Sequence, residues 1–358
     1  MQNAIKNAKT IRVGIAGLGG IAKRTHIPIL KLVPGYQVVA GAERDDIQRE
    51  RVAKMYNIPK VYSDFHEMIK SADIDAVFIC LPATLHLQAV TLALECGLHV
   101  FCEKPMGLHA KDTAAMIEAA EKAEKVLMPG YNIRHVANFR KAKRLLESKK
   151  LGHIIHVNAL FMNPGPYISW DPKSDWYLEA NSGGALYDIG SHIVDLLFYI
   201  YPHRLKNLTA YANQGYKPYD ATTNVVCSYH TDNSLLGTIQ VGWRSASEVC
   251  SLEFHGTAGT LLVSRRNFSY THGATDPADR IAISATNILQ ELKSVVGKLN
   301  LIRKGADVLD EFNRQALYFK RLVKNNRSNV SELKSAMHVH EVLDGIGRSI
   351  ETGKMIEL

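Results

Sequence analysis

The sequence predicts an α/β, doubly wound parallel sheet followed by an α+β domain on a mostly antiparallel sheet. Three observations carry this. Residues 11–132 alternate short, wholly apolar runs with amphipathic stretches. The first run breaks into a glycine turn, Gly17-Leu18-Gly19-Gly20-Ile21-Ala22. After about residue 133 the runs instead alternate with polar neighbours, as at Val225 and Cys227.

The apolar runs at 11–17, 37–43, 76–81, 99–103 and 126–131 read as strands covered on both faces, which is the condition of a parallel sheet. Leu85, Ala89, Leu92 and Cys96 recur at helical spacing in 84–96, as do Ala114, Ile117 and Ala120 in 110–125. This strand–helix rhythm predicts βαβ units, with ligands at the strands' C-terminal ends. Beyond it, a basic helix (138–150) leads to a strand at 154–162. A Pro/Gly/aromatic loop follows at 163–181, then a helix at 186–200. Strands are expected near 206–213, 222–230, 235–244, 249–255 and 259–264, with one wet face. The long loop carries Trp170 and Trp176 and reads as a substrate cover, since such loops are commonly functional.

At 358 residues the chain is long enough for two domains. These are expected at 1–133 and 134–358, with a last helix, 331–352, able to pack back on the first. No run reaches the roughly 18 apolar residues of a membrane span. The polar first ten residues lack an apolar h-region, which argues against a signal peptide. The five cysteines have no CxxC pair and no metal-ligand spacing, so no metal and a reducing, cytoplasmic setting are expected. The net charge of +8 suits an anionic ligand or simple solubility. The basic residues lack the aromatic interleaving of a nucleic-acid groove, so no nucleic acid is expected. Apolar positions in 286–303 form a stripe that reads as a packing helix rather than a membrane-surface one.

Three elements carry chemistry. Gly17-Leu18-Gly19-Gly20-Ile21-Ala22 has the form G-x-G-x-x-A, follows a strand and opens a helix. The first glycine allows the turn, the second lets the backbone approach a pyrophosphate, and the helix N-terminus favours negative charge. Glu43 ends the second strand, where a carboxylate accepts hydrogen bonds from ribose hydroxyls and repels a 2′-phosphate, favouring NAD. Arg44 can stack on adenine, can pair a 2′-phosphate and so admit NADP, or can be a solvated strand-end charge. Leu81-Pro82 ends the fourth strand, and nearby His86 either points toward the cofactor or is held by local bonds.

Glu103-Lys104-Pro105 closes the run His99-Val100-Phe101-Cys102. An ammonium at this rim lowers the pKa of a bound hydroxyl or polarises a carbonyl; otherwise Lys104 is a snorkelling surface lysine. Within Gly183-Gly184-Ala185-Leu186-Tyr187-Asp188-Ile189-Gly190-Ser191-His192, Asp188 and His192 stand at i and i+4, on one helical face. An imidazole suits acid/base work and a carboxylate can orient it, although a lone pair of this kind is more often a cap or surface contact.

In combination these motifs resemble the glucose-fructose oxidoreductase / inositol dehydrogenase / MocA (Gfo/Idh/MocA) family, from residue 11 to about 264 and again in 331–352. Tyr131-Asn132-Ile133-Arg134 looks like that family's interdomain segment, whose arginine commonly lies near the cleft. The resemblance implies an NAD(P)-binding Rossmann domain and a substrate-binding and oligomerisation domain. It implies hydride transfer between nicotinamide and a secondary hydroxyl of a sugar, sugar derivative or cyclitol. Lys104 would touch the reacting hydroxyl and nicotinamide ribose, His192 would be the acid/base, and Asp188 would bind or orient substrate. Tyr131, Arg134 and Trp176 are expected on the substrate side; Leu81, Pro82, His86 and Glu103 join the glycine turn on the cofactor side. A homodimer or homotetramer is implied. The alternatives are a dinucleotide-sensing regulator without catalysis, and NAD-assisted glycoside cleavage or sugar–sugar oxidoreduction.

Overall fold

The computed structural model describes residues 10–165, 183–213, 221–273, 310–327 and 329–358. They fall into two compact units: Met1–Tyr131 with Phe312–His338, and Asn132–Glu311 with Val339–Leu358.

The first unit is built on six strands: β1 (Ile11–Ala16), β2 (Tyr36–Ala42), β3 (Lys60–Tyr62), β4 (Ala76–Ile79), β5 (His99–Cys102) and β6 (Leu127–Pro129). Their order is β3-β2-β1-β4-β5-β6, with every pairing parallel. The strand order reverses direction between β1 and β4, the place where open α/β sheets bind ligands. All five expected strands are present. β3 was not foreseen, because three partly exposed residues at a sheet edge leave no apolar run.

Helix α1 (Ile27–Leu32) follows a π-helical turn, Ala22–His26. Helices α2 (Asp46–Tyr56) and α3 (Phe65–Ser71) begin at Asp45 and Asp64, whose carboxylates accept first-turn N–H groups. Helices α4 (His86–Glu95) and α5 (Ala110–Ala123) match the periodic stretches. Tyr36 donates its hydroxyl to the Ala316 carbonyl at 2.7 Å. Phe319 is fully buried, with its ring 5.3 Å from Phe78 and 5.9 Å from Phe101. A helix not singled out in the sequence therefore completes this core.

In the second unit, α6 (Ala137–Glu147) precedes β7 (Ile154–Met162). A π-helical turn, Leu186–Gly190, runs directly into α7 (Ser191–Ile200). The remaining strands are β8 (Asn207–Asn213), β9 (Asn224–His230), β10 (Leu236–Gly242), β11 (Val249–Gly256), β12 (Gly259–Ser264) and β13 (Phe268–His272). Helix α8 (Asp310–Asn325) supplies Phe319 to the first unit. After it come α9 (Val330–Thr352) and β14 (Ile356–Glu357). The sheet order is β13-β12-β11-β7-β10-β9-β8-β14, antiparallel except between β7 and β10. β13 and the two-residue β14 are short edge additions outside the expected set. No described helix is long and apolar enough to cross a membrane. The stripe at 286–303, Trp170 and Trp176 lie outside the described residues.

Replacing Phe319 by Ala is expected to cost the first unit about 3–5 kcal/mol. Urea unfolding measures this; an unchanged midpoint would show that α8 is not part of the core.

Candidate active site

At the end of β1 the chain turns sharply. Gly17 has φ +89, and a Cβ there would lie 2.7 Å from the Cys80 carbonyl at the end of β4. Only glycine fits where these two backbones meet. Gly19 differs: a Cβ on it would meet nothing within 4 Å. The space above it is open, as the approach of a pyrophosphate requires. Arg24 lies over Gly20, with its Nε donating to the Gly20 carbonyl at 3.4 Å. Sequence reading passed over this guanidinium, although an arginine four residues after Gly20 is a local signal.

Glu43 reaches back to the turn. Its Oε2 accepts the Leu18 N–H at 3.2 Å and the Gln48 side-chain amide at 3.0 Å; its Oε1 accepts the Asp45 N–H at 3.3 Å. An ionised carboxylate has about four acceptor positions, so capacity remains for ribose hydroxyls. Gln48, also hydrogen-bonded by Lys23 at 3.3 Å, belongs to this site and was not foreseen. Arg44 is exposed. Open backbone at Gly19, a helix start and a carboxylate at the end of β2 fit a dinucleotide.

The ends of β4 and β5 bring Leu81, Pro82, Glu103 and Lys104 to the same end of the sheet as this turn. Leu81 and Pro82 are half-buried. His86 departs from the expected cofactor contact. It is 1% exposed, with Nδ1 3.0 Å from the Pro105 carbonyl and Nε2 2.9 Å from the Leu81 carbonyl. Both ring nitrogens thus serve local bonds that pin the two strand-end loops. Burial lowers the His86 pKa, outweighing the carbonyls and Glu103, which raise it.

Glu103 is buried, with Oε1 2.6 Å from His26 Nε2 and Oε2 accepting the Lys104 N–H at 3.1 Å. Burial acts to raise its pKa, but the hydrogen bond and charge of His26, with the charge and N–H of Lys104, hold it below the ordinary 4.5. It is therefore a structural anchor of the Lys104 backbone rather than an open ligand. The Lys104–Pro105 peptide is cis, and Lys104 is half-buried.

In the second unit, Gly184 has φ +57, and a Cβ there would lie 2.3 Å from the Thr222 carbonyl. The chain passes from this contact into the π-helical turn that carries Asp188. The Asp188 carboxylate accepts the indole N–H of Trp243 at 3.2 Å. Trp243, 3% exposed at the end of β10, was missed because its partner is 55 residues away. His192, one residue into α7, is half-buried, with its ring 6.2 Å from that of Phe161. Asp188 thus lies in the π-helical turn and His192 in the first turn of the α-helix that continues it.

Tyr131 is buried. Arg134 also departs from expectation. Its guanidinium pairs two-pronged with Asp195, Nε to Oδ2 at 2.6 Å and Nη2 to Oδ1. Both side chains are buried and the Tyr199 ring lies 5.2 Å away. The fork is thus committed to the fold of this unit. Trp176 lies outside the described residues.

Residues 11–131 match the family model described as "Oxidoreductase family, NAD-binding Rossmann fold", and 139–262 that of the "GFO/IDH/MocA C-terminal domain". The chain belongs to this oxidoreductase family, and its first unit carries the NAD-binding Rossmann domain. Myo-inositol 2-dehydrogenase of Thermotoga maritima is 32% identical over 203 residues, 56% of this chain and 58% of that protein. That match therefore spans little more than half of the relative. D-xylose 1-dehydrogenase (NADP(+)) 2 of Haloferax volcanii is 26% identical over 347 residues, 96% of this chain and 99% of its own. The fold is shared with levoglucosan dehydrogenase in complex with NADH and levoglucosan: TM-score 0.79, 19% identity, 98% of this chain and 99% of that one.

Gly19→Val projects a branched side chain into the open space. It is expected to weaken NADH binding at least about tenfold, by obstructing close backbone approach, with an unchanged melting temperature. Fluorescence titration and thermal denaturation measure the two.

Because the Glu103 pKa is depressed, its stabilising contribution is complete above the ordinary value of 4.5. It is lost as pH falls below 4.5 through the folded-state value. Unfolding measured across this range is expected to show the loss, and Glu103→Gln to flatten it.

Proposed function

We propose that the chain transfers a hydride between NAD and a secondary hydroxyl of a sugar, sugar derivative or cyclitol. The observation that carries this is Lys104, whose backbone is anchored by Glu103 at the sheet end that also holds the glycine turn. Gly17, Gly19, Gly20, Ile21 and Glu43 would hold the dinucleotide, with Arg24 beside its phosphates. Bound there, the nicotinamide supplies the hydride acceptor. Lys104 stabilises charge on the substrate oxygen, His192 takes or returns the hydroxyl proton, and Asp188, oriented by the Trp243 N–H, binds substrate. The net charge of +8 supports a phosphorylated or nucleotide-linked sugar as one form of that substrate. The names of the relatives, acting on inositol, xylose and levoglucosan, support the same class.

We also propose a homodimer or homotetramer. Tyr211, Val226, Leu236 and Leu262 are exposed on one face of the second unit's sheet, as its strand register shows. Exposed apolar side chains gathered on one face suit a contact between copies.

Lys104→Ala is expected to lower kcat about 100-fold or more, the usual scale of positioned acid/base assistance. NADH binding should change by no more than about threefold, since the turn holds the dinucleotide. A panel of sugars and cyclitols supplies the substrate; unchanged turnover would refute the role of Lys104.

The Glu43 carboxylate predicts tighter binding of NADH than NADPH. Paired fluorescence titrations decide it, and equal affinities would remove the assigned preference.

A further inference from the structure

The helix that follows the glycine turn contains a buried histidine that the proposed reaction does not use. His26 closes the π-helical turn Ala22–His26 and is 3% exposed. Phe78, Phe101 and Phe312 meet its ring edge-on, at centroid distances of 5.5, 5.1 and 6.1 Å. Within this apolar surround its Nε2 is 2.6 Å from Glu103 Oε1, and Glu103 Oε2 accepts the Lys104 N–H. A buried polar pair is a poor source of stability, since well-packed apolar residues commonly do as well. It supplies direction instead: one nitrogen faces one oxygen, and each side chain is held to one rotamer. The π-turn matters here, because one residue more or fewer would rotate His26 by about 100° around the helix.

We propose that His26 is a positioning residue for Lys104, acting through the Glu103 carboxylate and tying the helix after the dinucleotide turn to the strand end that carries the amine. This rests on the role given to Lys104 above. Beyond His26 and Lys104, Glu103 acts on His86 from α4 and on the thiols of Cys80 and Cys102. Burial first, and Glu103 second, push both thiols well up, so they stay protonated.

The test compares His26→Leu, which removes the donor at similar volume, with His26→Gln, whose side-chain amide can still donate to Glu103. Two quantities are read: steady-state kcat and KM, and the rate at which acetic anhydride acylates Lys104 in the protein without substrate, followed by mass spectrometry. His26→Leu is expected to lower kcat about 10- to 100-fold, the scale of a small misplacement of a reacting group. KM for NAD should stay within about threefold, the pattern of a lost transition-state interaction. The Lys104 acylation rate should change at least about threefold relative to the other lysines, and His26→Gln should return both readings close to wild type. Wild-type kcat and acylation in His26→Leu would overturn the proposal. So would equal losses in both variants, because volume rather than the hydrogen bond would then be at work. Should His26→Leu not fold, Glu103→Gln read in the same way decides, and failure of both to fold would show that the pair holds the fold and not the amine. If Lys104→Ala retains wild-type turnover, the role of Lys104 fails, while the acylation rates still decide the positioning.

Discussion

An ionised carboxylate buried at the end of β5 is the constraint on which the first unit's site depends. Burying Glu103 opposes its charge, and in isolation would protonate it. His26 and the Lys104 N–H offset that cost, each taking one oxygen. The bonds fix more than a charge. Main-chain hydrogen bonds from Glu103 N–H to Ile79 and from Gly130 N–H to Cys102 hold the strand end in the sheet. A Cβ on Gly130 would lie 3.1 Å from Glu103 Cα, so the next strand leaves little room for a larger residue. His86 then pins the Pro105 carbonyl. Lys104 is therefore carried on backbone that is held from several directions.

The second unit uses a different device for the same end. Asp188 sits in a π-helical turn entered from a glycine that packs on the Thr222 backbone. Its carboxylate is oriented by the Trp243 indole. In the same unit, Arg134 and Asp195 neutralise one another in the interior. Each proposed functional group of the chain follows or occupies a place where the regular backbone is interrupted: a tight glycine turn, a strand end or a π-turn. Such interruptions aim side chains in directions a regular helix or strand does not offer.

What was legible in the sequence was what local rules determine. The five buried parallel strands, the glycine turn, the Glu43 position and the two chemical motifs all follow from residue spacing within a few positions. β3, β13 and β14 escaped notice because edge strands of two to five residues carry too little pattern. Helix α8 escaped although Phe312, Ala316 and Phe319 recur on one face, because it lies between 264 and 331, outside the stretches that the family resemblance covers. His26, Trp243 and the Arg134–Asp195 pair were illegible for another reason. Their partners are 77, 55 and 61 residues away, and only the fold brings them together. Sequence reading placed Arg134 near the cleft and left His86 between the cofactor and local bonds; the structure pairs Arg134 with Asp195 and gives His86 the local bonds.

The ionised state of Glu103 is the physical point on which the arrangement of His26 and Lys104 turns. An isotope-edited infrared titration with labelled glutamate, taken as the difference between wild type and Glu103→Gln, observes it directly. A carboxylate band persisting from neutral pH to below the ordinary value of 4.5 is the predicted result. A protonated Glu103 carboxyl at neutral pH would contradict it.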